Sequence, residues 1–243
     1  MTFQSLSIVM TASDEVASLK ESIEYLLRFD QDIGEIIVVL PTWASSDCMK
    51  MATALAEKYV EKVKMLIQKR KGLGGAIRDG IDLASGSHIL YAVSDLAISL
   101  DVVPKLLEIE KEYPEDIAKS SRFMEGGGFV DYSKSRLLLN KIAQVFLRVL
   151  YQSSVKDLTN PVQIADAALY HSVSWHETEF PMLEEMVLVP ARLRIRFHEV
   201  PCFCYGRKEG ESKNSFFQTA AYFKTAIRTR FVPRKKLFKN DWK

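Results

Sequence analysis

Apolar residues follow two periods along this chain, and through the first half the two alternate. SLSIVM at 5–10 and EIIVVL at 35–40 are near-continuous apolar runs, the pattern of strands buried on both faces of a parallel sheet. Between them Val16, Leu19, Ile23, Leu26 and Leu27 recur at helical spacing. The pattern predicts strands at 6–10, 35–40, 63–68 and 88–93, with helices at 15–29 and 46–59 and a glycine-opened helix after the third strand. Ser45 or Ser46 caps the second helix, with Asp47 in its first turn. The second half is less regular: a strand at 116–122, a flexible Gly126-Gly127-Gly128 turn, a long amphipathic helix at 133–151, a helix at 180–193 despite Pro190, and a strand at 196–203.

Strands alternating with helices indicate right-handed βαβ units and a mostly parallel central sheet flanked by helices, an α/β fold. Ligands on such sheets bind outside the carboxyl ends of the strands. Those ends fall at 11–15, 40–47, 69–74 and 94–97. The third is basic and glycine-rich. In KGLGGAIRDGIDLASGSHILYAVSD (71–95) a glycine turn opens a helix and the following strand ends on Asp95. Backbone N–H groups at 72–76 and the Lys71 ammonium suit a diphosphate or the sugar beside it. A tight turn that merely starts a helix is the alternative. A dinucleotide fingerprint fits less well, because GLGGAI follows the third strand and its third glycine is displaced.

The 243 residues suffice for a substantial core, and with 47% apolar and 26% charged residues the composition is that of a soluble globular protein. There is no run of 18 apolar residues. The N-terminus reads as a first strand rather than a signal peptide. Cys48, Cys202 and Cys204 are an odd set that fits a reducing cytosol, with the last two a structural pair rather than a zinc site. His88, His171, His176 and His198 lack metal-ligand spacing. The net charge of +2 conceals an asymmetry: residues 1–213 carry −5, and residues 214–243 carry +7. The division predicts a body at 1–213 and a basic amphipathic tail at 214–243 that meets an anionic surface.

The order of motifs resembles family 2 glycosyltransferases of the GT-A nucleotide-diphospho-sugar transferase fold, and within them the dolichyl- or polyprenyl-phosphate sugar synthases. SIVMTASDE, EIIVVLPTWASSD, KGLGGAIRDGIDLASG, AVSDLA, SSRFMEGGG and EVPCFCYGRKEGESK stand in the family's order over roughly residues 5–213. The resemblance implies a donor site at Thr11, Ala12, Glu15, Asp47, Lys71, Gly72, Gly74 and Ser94. It makes Asp95 the catalytic carboxylate and the ligand of Mg²⁺ or Mn²⁺. Two departures fall in this half. Leu40-Pro41 stands where the family has an aspartate pair, and Val93 stands where the first carboxylate of its DxD motif belongs. One carboxylate plus phosphate oxygens still suits a water-rich Mg²⁺.

The resemblance also places Arg122, Arg136, Arg207, Ser212 and Lys213 around the acceptor phosphate, for which guanidinium forks are suited. A phosphate monoester attacks C1 without a general base. A saccharide hydroxyl would need one, for which Glu184 and Glu185 are the candidates, their alternative being a favourable helix-dipole contact. Asp101 is expected to cap the next helix. Phe216, Phe217, Tyr222, Phe223, Ile227, Phe231, Leu237 and Phe238 alternate with cations in the tail, as in an interfacial segment lying on anionic lipid. A helix packed on the body with a solvated basic face is the alternative. No recognition motif supports nucleic acid binding. The expectation is an inverting transferase moving a sugar from a nucleotide-sugar donor to a polyprenyl phosphate, cytoplasmic and peripherally membrane-associated. A non-catalytic relative binding nucleotide, lipid phosphate or protein, and a transferase to a saccharide hydroxyl, are the alternatives.

Overall fold

The run Ile33–Leu40 is buried at every position except Gly34, because it is an inner strand covered on both faces. In the computed structural model, which describes residues 2–205 and 216–239, it is β2 of a seven-stranded sheet. Its neighbours are β1 (Leu6–Thr11) and β3 (Val63–Ile67), and β4 (His88–Val93) lies on the far side of β1, all parallel. Their connections are the helices α1 (Ala17–Leu26), α2 (Ser46–Lys58) and α3 (Gly72–Leu83). Side-chain alternation sorts the core into two layers. Ile8 and Met10 of β1 pack with α1 and α2, while Val9 faces α3.

The sheet continues in the order β4-β7-β5-β8. Helix α4 (Val102–Glu112) leads to β5 (Ile117–Ser121), and β6 (Gly128–Phe129) precedes the long α5 (Lys134–Tyr151). Then β7 (Gln163–Asp166) runs antiparallel to both β4 and β5, and α6 (Ala167–Ser172) and α7 (Met182–Leu193) follow. Strand β8 (Phe197–Pro201) pairs in parallel with β5, β9 (Phe203–Cys204) pairs with β6, and α8 (Phe216–Phe231) packs on α7 and α5.

Four local features differ from the expectation. The first helix begins at Ala17, because the Glu15 carboxylate turns back to accept the backbone N–H groups of Ser13 and Asp14. The strand expected at 196–203 breaks at Cys202, whose N–H donates to Ser121 O while its carbonyl accepts from Gly128 N. Asp101 precedes α4 but its side chain does not cap it, accepting instead from Ser99 Oγ. Strand β7 was not expected. Pro190 does lie within α7: the Met186 carbonyl, which a proline at 190 leaves without its helical donor, accepts from Gln163 Nε2 at 2.9 Å.

Glu35 ties the parallel half together. Its Oε1 accepts from Ser7 Oγ (2.6 Å), Ser85 N (2.7 Å) and Ser85 Oγ (2.7 Å), and its Oε2 meets Lys64 Nζ at 2.6 Å. Burial would raise this carboxyl, but these donors together hold it down at about 2. Glu35→Ala strands the Ser7 and Ser85 donors and should cost about 2–4 kcal/mol in urea unfolding at pH 7. Because the folded pKa is depressed, the contribution is present above the ordinary carboxylate range and lost as pH falls toward 2. The gap between wild type and variant should therefore shrink in acid; a constant gap would contradict the assignment.

Candidate functional site

Strand β1 has β2 on one side and β4 on the other: the chain runs outward from β1 through β2 to β3 and then returns past β1 to β4, so the crevice between β1 and β4 is the sheet's topological switch point. At its carboxyl end Thr11 is in register with Val93. Thr11 Oγ1 and Tyr91 OH are 3.0 Å apart, and Ser94 Oγ donates to Thr11 O at 2.7 Å. Ala12 is buried and donates its N–H to Val39 O. Beyond it, the Ser13 carbonyl accepts from Ser45 N at 2.7 Å, and Ser45 Oγ caps α2. Thr11, Ala12, Glu15 and Ser94 thus form one rigid ledge. Asp47 is apart from it, exposed and paired with Lys50 at 3.3 Å.

Asp95 follows the ledge, 5% exposed, with Oδ1 accepting Ala97 N at 2.9 Å. The next residue, Leu96, has φ +55°, a left-handed conformation that costs a non-glycine residue on the order of 1 kcal/mol. The turn is held by the strand beyond it: Tyr205 N donates to Ala97 O (2.9 Å), and Ile98 bridges Cys204. Asp95 is the one carboxylate among the residues expected to hold a metal, and the described residues contain no cluster of three histidines, cysteines or acids. That donor set suits a divalent ion held mainly by diphosphate oxygens and water, not an all-protein cage. Cys202 and Cys204 are buried free thiols, and burial pushes Cys202 up to about 11.

The glycine turn has acquired a second task. Gly72 has φ +76°, and a Cβ there would collide with the Thr178 carbonyl and the Glu179 carboxylate; one on Gly74 would collide with the Glu177 carbonyl. Gly74 N–H donates to Thr178 O at 2.8 Å. Residues 175–179 thus form a strap across the start of α3. The expected diphosphate cradle is narrowed accordingly, since the Gly74 N–H is spent within the chain. Lys71, at the N-cap position of α3, is exposed.

Glu185 holds this strap: its Oε2 accepts His176 N (3.0 Å) and Glu177 N (2.9 Å). Glu184 is buried beside it, and burial followed by the charge of Glu177 raises its carboxyl well above the usual range. Neither is presented as a base for an incoming hydroxyl.

On the side expected to hold the acceptor, part-buried Arg122 packs on buried Asp157, with Nε to Oδ2 at 2.8 Å and Nη2 to Oδ1 at 2.9 Å. Nη2 also donates to Thr159 Oγ1 (2.7 Å), and the guanidinium lies 5.3 Å from the Phe129 ring centroid. One edge of its fork is therefore already occupied. Arg136, in the first turn of α5, is exposed and makes no ion pair among the described residues. Arg207, Ser212 and Lys213 lie outside the described residues. The expectation missed Asp157, Thr159 and Gln144, which hold Arg122 and its surrounding loop, and no pattern in the sequence marks them.

The family model of glycosyl transferase family 2 matches residues 7–176. A dolichol-phosphate mannosyltransferase of Pyrococcus furiosus is 29% identical over 212 residues, covering 86% of this chain and 58% of its own length. The low-salt glycan biosynthesis hexosyltransferase Agl6 of Haloferax volcanii is 23% identical, covering 87% and 50% respectively. The chain thus spans about half the length of these curated relatives. A glucosyl-3-phosphoglycerate synthase of Mycobacterium tuberculosis, solved with Mn²⁺, UDP and phosphoglyceric acid, superposes with a TM-score of 0.71 at 16% identity, over 95% of this chain and 80% of that one. The same enzyme with Mg²⁺ and UDP gives 0.67 at 16% identity, over 93% and 78%. At that identity the likeness is one of fold.

Proposed function

The chain belongs to glycosyl transferase family 2, and from that premise we propose that it moves a sugar from a nucleotide-sugar donor to a polyprenyl phosphate at a membrane surface, with inversion at C1. The observation that carries this reading is the bond between Tyr205 N and Ala97 O. It joins the Asp95 turn to the segment whose Cys204 pairs with Phe129, the ring beneath Arg122, so the donor carboxylate and a guanidinium expected at the acceptor adjoin the same strand. The named substrates of the Pyrococcus and Mycobacterium proteins supply the chemical classes.

In this reading a phosphate oxygen of the acceptor attacks C1 as the bond to the donor diphosphate breaks, and the nucleoside diphosphate departs with the electron pair. The nucleophile is already an anion near neutral pH, so no carboxylate base is required. The burial of Glu184 and the use of Glu185 on backbone favour a phosphate over a saccharide hydroxyl. A divalent ion bound at Asp95 would offset charge on the leaving diphosphate. Lys71 would approach the diphosphate or the sugar next to it, and Arg136 would meet the acceptor phosphate.

The membrane reading rests on two adjoining helices. Leu138, Ile142, Val145 and Val149 of α5 are exposed, Val149 to 73%, and Phe223, Ile227 and Phe231 of α8 are exposed next to them. Phe146 and Phe223 link the helices, with ring centroids 5.1 Å apart. Neither helix contains an acidic residue, and besides Arg228, which faces the body, together they carry Lys134, Arg136, Lys141, Arg148, Lys224 and Arg230. An apolar stripe between cations suits an anionic lipid surface, on which the helices would lie. Among the described residues no helix is long and apolar enough to cross a membrane.

Three measurements test the proposal. Thermal shift with UDP, GDP and CDP, each with Mn²⁺, should show stabilisation by one of them; none from any would end the donor-site reading and favour a non-catalytic relative. Labelled transfer from the matching nucleotide-sugars should require a short polyprenyl phosphate, and Ile142→Asp with Val145→Asp should reduce sedimentation with anionic vesicles. Transfer to a saccharide hydroxyl alone would replace the acceptor assignment, and undiminished sedimentation would remove the α5 face from it.

A further inference from the structure

Helix α8 carries a second feature, on the side that faces the body. Its residues Thr225 and Thr229 are buried, and between them Arg228 reaches two carboxylates at once. Arg228 Nη1 lies 2.9 Å from Glu177 Oε1 and Nη2 lies 2.6 Å from Glu185 Oε1. Thr225 Oγ1 donates to the same Glu177 oxygen at 2.6 Å. Glu177 is part of the strap, and Glu185 is the carboxylate that receives the strap's own N–H groups. The strap then meets the glycine turn through Thr178 O and Gly74 N, and Arg78 Nη1 fixes Trp175 O at 3.2 Å.

This is a continuous chain of contacts from the C-terminal helix to the start of α3. Each link is polar, and two of its members are carboxylates that repel one another once the guanidinium between them is gone. Burial raises the Glu185 carboxyl, while Arg228 and the strap's N–H groups favour its ionised form. Without Arg228 the two acidic side chains would face each other with only the His176 imidazole, 3.9 Å from Glu185 Oε1, beside them among the described residues, and the cheapest relief is for the strap to lift away from α7 and α3. Gly72 and Gly74 have no side chain to hold the turn in shape once the strap departs.

We propose that Arg228 is a positioning residue for the donor site: by bridging Glu177 and Glu185 it seats the 175–179 strap on the glycine turn and so sets where Lys71 and the remaining turn N–H groups meet the diphosphate. The inference rests on the donor-site reading above. It makes α8 a structural participant in nucleotide binding, whatever that helix does at its exposed face.

The test compares Arg228→Ala, Arg228→Lys and Thr225→Val with wild type, by amide hydrogen exchange and by steady-state kinetics with the nucleotide-sugar that the wild type uses. In Arg228→Ala the amides of Gly74, His176 and Glu177 should exchange at least about tenfold faster while those of β1 and β2 keep their rates, as expected for loss of a charged hydrogen bond in one local unit. Donor KM should rise about tenfold with kcat nearly unchanged, because binding geometry and not the chemical step is affected. Arg228→Lys, which keeps the charge but loses the fork, should fall between, and Thr225→Val should show a smaller effect of the same kind. Unchanged exchange at the three amides would overturn the proposal, as would faster exchange with unaltered donor KM, or a uniform increase that includes β2. Wild-type protein that binds no nucleotide would instead sink the donor-site reading before any variant is compared.

Discussion

Arg122→Ala is expected to destabilise the protein by about 3–5 kcal/mol, because it leaves Asp157 buried and unpaired. For a chain of this size that corresponds to a fall in Tm of roughly 6–20 °C. Burial alone would raise the Asp157 carboxyl; the adjoining charge and fork of Arg122 override it and hold the carboxyl far below the usual range. The folded pKa is thus depressed, so the contribution is complete above the ordinary carboxylate pKa and is lost as pH falls. Urea unfolding at neutral pH and at about pH 3 should therefore show a large gap between wild type and variant that narrows in acid. A gap under about 1 kcal/mol at neutral pH would mean that the pair contributes no more than a surface ion pair does. Loss of transfer in this variant would not by itself identify a substrate contact, since the fold would fail first. Arg136, which is exposed and makes no ion pair among the described residues, is the cleaner probe of the proposed acceptor phosphate.

Asp95→Asn is the complementary experiment, with a large effect on activity and a small one on stability. The amide oxygen can still accept Ala97 N–H, so the turn at Leu96 should persist and Tm should change by no more than about 2–4 °C, the equivalent of 1 kcal/mol. The lost charge is the carboxylate that the proposed function assigns to a divalent ion at the switch point. Transfer should fall about 10²–10³-fold, the usual cost of removing one electrostatic contact to a developing charge. Nucleotide binding should lose its dependence on Mn²⁺ at the same time. Wild-type rates in this variant would exclude Asp95 from the chemistry and leave cations such as Lys71 to offset the diphosphate charge.

How much of this was legible in the sequence depends on where each signal resides. Strand β4 was read to its end residues, because a buried parallel strand is an uninterrupted apolar run bounded by a glycine turn and a polar loop. Strand β7 has four residues, and its Gln163 is buried for a reason seen only in space: its amide serves the Met186 carbonyl next to Pro190. The glycine turn illustrates the limit most clearly. A glycine that exposes its N–H to a phosphate and one that admits a crossing strap look the same in sequence, and the strap lies about a hundred residues downstream. Glu185 looked like a base or a dipole partner, and nothing local reveals that one of its oxygens is committed to backbone and the other to Arg228. The resemblance singled out Arg122, but its partner Asp157 sits in a loop without periodicity.

Strand β7 also bears on how the chain is made. Among the described residues it is the antiparallel seam between the β3-β2-β1-β4 block and the β5-β8 pair, touching His88–Leu90 on one side and Ala118–Lys119 on the other. The first block is contiguous in the chain and complete once residue 93 has been synthesised. Its β4 edge then stays open until residues 163–166 arrive, some 70 residues later. During synthesis, an apolar strand with unpaired backbone would be exposed for that interval, and an open edge of this kind is a site of mispairing with another nascent chain. The yield of folded protein should accordingly depend on translation speed across residues 94–166 more than on the final stability of the sheet.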